Sequence, residues 1–153
     1  MLVSIVDRAY NRRSWHGTNL RGSLRGVSAK QAAWRPARGR HNIWELVVHC
    51  AYWKYAVRRR LTGEKRGSFE LRGSNFFARP GADRSERAWK ADIALLERAH
   101  RQLRSAIAAL PASALKGKRK GGGATKAWLV AGIAAHDLYH AGQIQLLKRL
   151  RKK

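Results

Sequence analysis

The sequence predicts an all-α fold, a four-helix bundle. Three observations carry this. Strand-like alternation is scarce, two capping-box patterns open long helix-spaced apolar runs, and a further apolar stripe runs through the C-terminal part. At 153 residues the chain reads as a single domain over 1–153, large enough for its own core.

The first helix is the least sharply drawn. Leu2, Val3, Ile5, Val6 and Tyr10 begin an apolar face that Leu20, Leu24 and Val27 could continue, with Gly17, Gly22 and Gly26 interrupting. A basic, turn-like link at 35–40 follows. The second helix opens on Asn42 as N-cap with Glu45 three residues later; Leu46, His49, Trp53 and Val57 share one face, and the end falls near Leu61, before Thr62 and Gly63. A loop of roughly 20 residues comes next, long for a connection. It holds Phe69, Leu71, Phe76 and Phe77, so it is expected to pack over something, as a lid or as the seal of one bundle end. A short hairpin around Phe69 is a variant of this reading.

Helix three opens on Asp83 and Glu86 as a second capping-box pattern. Trp89, Ile93, Leu96, His100, Leu103, Ile107 and Leu110 alternate steps of four and three, a bundle seam that Pro111 stops. Residues 116–123 read as a basic, glycine-rich, mobile link. Helix four begins near Thr125 and runs into the basic end at 148–153.

Charge is the outlier in composition: 33 Lys and Arg against 9 Asp and Glu give +24. Such a field attracts polyanions, acidic lipid surfaces or anionic small molecules, and says nothing about fold. Cys50 is the sole cysteine, which excludes an internal disulfide framework. Residues 1–10 are too short an apolar run for a signal peptide, and the run at 127–135 is too short to span a bilayer. A soluble, cytoplasmic protein without a membrane span is the expectation.

The chemistry sits on helix four. Leu129, Ile133, His136, His140, Ile144 and Leu147 form one stripe at helical spacing, so two imidazoles one turn apart face the core. Buried polar groups need partners, and a divalent metal would satisfy both at once. His49, on the apolar stripe of helix two, is the best third ligand. Three histidines with an open position suit catalytic zinc, and neutral imidazole also suits nickel, copper or iron. Against this, an HxxxH pair alone is a weak motif, and the histidines could be core residues only.

The remaining candidates sort by distance and spacing. His41 lies about 12 Å of helical rise from His49, too far to share an ion. His100 reads as a hydrogen-bonded core histidine, with a fourth-ligand role as the alternative, and His16 as a pocket residue at most. Asp137 makes the pair H-D-x-x-H, which resembles the zinc-protease pattern, but the shorter acid lies off the shared face. It is expected as a partner to a ligand or as an exposed acid. Gln143 follows His140 by one turn on the pocket side, to bind substrate or orient a ligand. Tyr52, Trp53 and Tyr139 either line the pocket or pack. Cys50 reads as a small buried side chain and Glu45 as a cap.

Together these segments resemble the DinB-like family of bacterial four-helix proteins. The residues that carry the resemblance are Trp15, His16, Gly17 and Leu20; the run His41, Asn42, Ile43, Trp44, Glu45, Leu46, Val47, Val48 and His49 with Trp53; and Gly132, Ile133, His136, Tyr139, His140, Ala141, Gly142, Gln143 and Ile144. It covers most of the chain and is most specific in helices two and four. The resemblance implies a divalent metal, zinc or nickel foremost, on His49, His136 and His140, a bundle with a long crossover connection, and a homodimer. It also implies thiol-dependent transfer or isomerisation with a low-molecular-weight thiol such as bacillithiol, mycothiol or glutathione, or hydrolysis of a small-molecule substrate. The competing expectation is a basic nucleic-acid-binding helical protein in which the histidines are structural. The net charge of +24 favours it, and so does the density of the clusters at 58–60, 116–120 and 148–153, beyond what a thiol substrate requires, but their placement at helix ends and loops speaks against it. The tryptophans, which mostly fit core stripes, speak against it too.

Overall fold

The computed structural model describes residues 1–115 and 124–151. The link expected at 116–123 and the end of the basic tail at 152–153 lie outside the described residues. Every regular element among the described residues is helical: α1 (Leu2–Tyr10), α2 (Leu20–Ser23), α3 (Ala29–Ala32), α4 (Ile43–Thr62), α5 (Glu86–Ala108), a 3-10 turn (Ala112–Leu115) and α6 (Lys126–Leu150). The helices α1, α4, α5 and α6 form the bundle. Among the described residues there is no strand, so the hairpin expected around Phe69 is not formed.

The first helix is shorter than its apolar pattern allows. It stops at Tyr10, and Leu20 and Leu24 are buried at the two ends of the separate short helix α2 instead. Local caps explain the break. The Asn19 side chain accepts from Gly22 N, and Ser28 with Gln31 makes a complete capping box on α3. The capping box of Asn42 and Glu45 on α4 forms as expected, and Gly63, at φ 81°, ends that helix in a left-handed conformation that costs glycine little.

The expected capping box on α5 is displaced. Ser85 is the N-cap, its hydroxyl accepting from Ala88 N, while Asp83 Oδ1 accepts from Ser85 N at 2.9 Å. Asp83 thus makes a local turn two residues too early to cap. Glu86 becomes the first helical residue and accepts from Ala29 N at 2.7 Å, tying α5 to α3.

Pairs between helices give their directions. Trp44 Nε1 donates to Asp92 Oδ2 and Arg58 Nη1 to Gln102 Oε1, so α4 and α5 run parallel. Parallel neighbours need a connection that returns the length of the helix, about 30 Å for twenty residues. The loop 63–85 does this, and is the long crossover. Asp7 pairs with Arg104 while Tyr10 stacks on His100, so α1 runs against α5.

The apolar core falls into two patches. One gathers Leu20, Trp44, Val47, Val48, Trp89, Leu96 and Ile144; the other Val6, Val57, Leu61, Leu103, Ile107, Val130 and Ile133. Between them, along both α4 and α6, lies a charged pair: Lys54 and Asp137, each with no exposed side-chain surface, form an ion pair. The Lys54 ammonium also sits 4.8 Å from the Tyr10 ring centre.

Candidate metal centre

The faces of α4 and α6 bring His49, His136 and His140 together, with ligand atoms within 4.8 Å of one another. His136 Nε2 is 3.0 Å from His49 Nε2 and 3.2 Å from His140 Nε2. The helical stripe read on α6 puts both of its histidines on one side, and the buried face of α4 supplies the third.

Each ring is held from behind. His49 Nδ1 donates to the main-chain oxygen of Asn75 at 2.9 Å, and His140 Nδ1 donates to Gln143 Oε1 at 2.7 Å. Both bonds place the ring proton on Nδ1 and leave a lone pair on Nε2. Two lone pairs therefore point at His136 Nε2, which can give a proton to only one of them. His136 Nδ1 is buried with no hydrogen-bond partner among the described residues. A cation among the three Nε2 atoms resolves this conflict. Tetrahedral zinc with Zn–N near 2.0–2.1 Å requires N···N edges of about 3.3 Å, close to the spacings present.

Burial drives the rings towards the neutral, ligand-competent form. It pushes His49 down to about 4 against the opposing bond to Asn75, and His136 to about 3 with added repulsion from His140 and His49. His140 is lowered by burial too, with Gln143 opposing.

A cavity of about 780 Å³ opens on the three rings, in the range of small-molecule sites. Trp53, Phe76, Tyr139, Leu146 and Leu150 make it mainly apolar, and Arg40 adds a cation. Phe76 stacks on His49 at 4.0 Å and on His41 at 3.8 Å between ring centres. The loop 63–85 is therefore a wall of the site and not only a seal.

The other expected residues divide. Gln143 orients His140, and Trp53 and Tyr139 line the cavity. Tyr52 turns to Phe69 and Phe77 and lines a neighbouring cavity instead. Asp137 is not an exposed acid; it is fully buried and committed to Lys54, while its Oδ1 has no hydrogen-bond partner among the described residues. Its carboxylate and Cys50 come within 4.8 Å of a His136 nitrogen, and burial pushes the Cys50 thiol well up, which keeps it protonated. His100 stacks on Tyr10 away from the cluster, His41 bonds Glu45 at 2.9 Å, and His16 is exposed. Glu45 caps α4 and also holds Arg35; burial alone would raise its carboxyl, but the bonds from Arg35 and His41 win and lower it.

Two site residues escaped the sequence reading. Asn75, at φ 65°, lies in a loop with no periodicity to mark it. Lys54 did carry a signal, because Val47, Cys50, Lys54, Val57 and Leu61 form one buried stripe at helical spacing.

Fold and site together define an all-α bundle whose core carries a three-histidine cluster able to hold a divalent ion. The chain belongs to the DinB superfamily, whose sequence model matches residues 12–144. No curated protein and no solved structure matches it. No helix among the described residues is long and apolar enough to cross a membrane.

Proposed function

We propose that this protein is a metal-dependent enzyme acting on a small molecule, with His49, His136 and His140 binding one divalent ion, zinc or nickel. One observation carries the reading: Nδ1 of His49 and of His140 is spent on an acceptor, so two Nε2 lone pairs converge on His136 with no proton to separate both. When bound, the ion would lower the pKa of a thiol or water at its open position.

The chain's own residues do the rest. Asn75 and Gln143 fix the rings, Trp53 and Phe76 give the cavity an apolar wall, and its mouth beside the exposed Tyr139 admits the substrate. Among the described residues no carboxylate lines the cavity as a general base, which favours a nucleophile activated by the ion itself. Thiol-dependent S-transfer follows from the family resemblance, with hydrolysis as its variant. The test is a screen of several low-molecular-weight thiols against a model electrophile, with metal present and removed. Turnover needing both thiol and metal supports S-transfer, turnover needing metal alone supports hydrolysis, and turnover unaffected by metal removal contradicts the proposal.

A homodimer in the cytoplasm is part of the same proposal. Ala135, Leu138, Gly142, Leu146 and Leu150 follow one another at helical spacing on the exposed side of α6. A second copy packed there would cover them, and Leu138→Glu, outside the histidine cavity, should then shift a dimer to monomer in sedimentation.

The second reading is nucleic-acid binding. Trp15 is 96 % exposed and shares two surface hollows with Arg8, Arg12, Arg13 and Arg25, a setting for base stacking beside phosphates. Oligonucleotide binding that survives physiological salt and is lost in Trp15→Ala would favour it.

A further inference from the structure

Beside the histidine cavity lies a second one, of about 490 Å³, between α4 and the loop 63–77. The two adjoin: Trp53 and Asn75 line both. Asn75 is the shared wall. Its main-chain oxygen accepts from His49, its side-chain oxygen accepts from Trp53 Nε1 at 3.0 Å, and its left-handed φ of 65° lets it do both.

The second cavity has an aromatic floor, with Tyr52, Tyr55 and Phe69, and a cationic rim of Arg59, Arg60, Arg66 and Arg72. The neighbouring acids do not neutralise that rim. The loop 63–77 holds two: Glu64 is held by Arg58 at 2.8 Å, and Glu70, itself one of the lining residues, is held by Arg98 at 2.8–3.2 Å; neither of these two arginines lines the cavity. Arg59 Nη1 donates to the main-chain oxygen of Glu64 at 3.3 Å, and its buried Nε has no partner among the described residues. Arg60 lies over the Trp53 ring, 5.7 Å from its centre, at the border of the two cavities. Four arginines lining an aromatic hollow, whose one lining carboxylate, Glu70, is already paired with Arg98, fit an anion with planar or tetrahedral oxygens.

We infer that this arginine-rimmed cavity is an anion subsite that takes the phosphate or carboxylate end of the small molecule whose reacting end meets the three histidines. The assignment of the reacting end rests on the metal-enzyme reading; the anion subsite does not. The Arg-rimmed cavity sorts substrates by charge, and the apolar histidine cavity holds the part that reacts.

The probes are inorganic pyrophosphate and succinate, titrated calorimetrically into the full chain at physiological ionic strength. The variants are Arg59→Gln/Arg72→Gln and, as a control of equal charge loss on the exposed face of α5, Lys90→Gln/Arg101→Gln. Circular dichroism and zinc uptake are measured on each to establish folding and an intact histidine site. The inference predicts saturable binding of at least one probe, weakened about tenfold or more in the cavity variant and kept in the control. The tighter probe identifies phosphate or carboxylate as the natural group. No saturable binding of either probe, or equal loss in both variants, overturns the subsite. Anion binding with these properties in a protein that takes up no zinc would leave the subsite standing and remove the metal-enzyme reading instead.

Discussion

Lys54 and Asp137 form an ion pair between α4 and α6 in which neither side chain reaches solvent. Both charges replace apolar residues on buried stripes, so the bundle registers two helices by charge where it would otherwise use packing alone. Removing one partner strands the other in the core. Lys54→Met should cost about 3–5 kcal/mol, whereas Lys54→Met with Asp137→Leu should be near neutral or stabilising. Urea denaturation of the single and double variants measures this, and equal losses in the two would show that the pair is not the source.

Gln143 acts on the site through His140. Gln143→Leu removes the acceptor for Nδ1–H and frees the ring to turn. Metal affinity should fall about 10–100-fold, while the stability of the metal-free protein changes little. Competition with a chelator of known affinity reads this out. An unchanged affinity would mean that helix packing alone fixes the ring.

Acid should unfold the metal-free protein earlier than its carboxylates alone would. Burial lowers His100 to about 3, His136 to about 3 and His49 to about 4, all below the ordinary histidine value. A folded pKa below the unfolded one means that the unfolded chain binds more protons between the two. Stability is then full above about pH 6.5 and falls as pH drops towards 3–4, by up to about 1.4 kcal/mol per pH unit for each histidine. His100, which stacks on Tyr10 and stands apart from the three-histidine cluster, isolates one such contribution. His100→Phe should make the fall between pH 6.5 and 4 measurably shallower in denaturation series; an identical slope would contradict the assignment.

Much of this was legible in the sequence because helical periodicity marks faces. The stripe from Leu129 to Leu147 gave the inward direction of His136 and His140, the face of Leu46 and Trp53 gave that of His49, and Asn42 with Glu45 gave the start of α4. What periodicity does not carry is the path of irregular chain. Nothing local in Asn75 or Phe76 tells that the crossover loop returns onto His49. Arg59 and Arg72 were visible only as charge, since the cavity they share depends on that same loop. Lys54 was overlooked for a different reason: a lysine in an apolar stripe is ordinarily exposed, and its burial depends on a carboxylate 83 positions away. The misplaced cap of α5 has a similar cause, because Glu86 is drawn to the α3 backbone and Ser85 takes the capping position.

The central claim is that the three converging imidazoles hold a metal. Titration of the metal-free protein with zinc, nickel and cobalt, the last followed by its visible spectrum, tests it most directly. The account predicts uptake of about one ion per chain with a tetrahedral cobalt spectrum, and loss of that uptake in His136→Ala with the fold retained by circular dichroism. No uptake by the wild-type protein, or the same uptake and spectrum in His136→Ala, would contradict it.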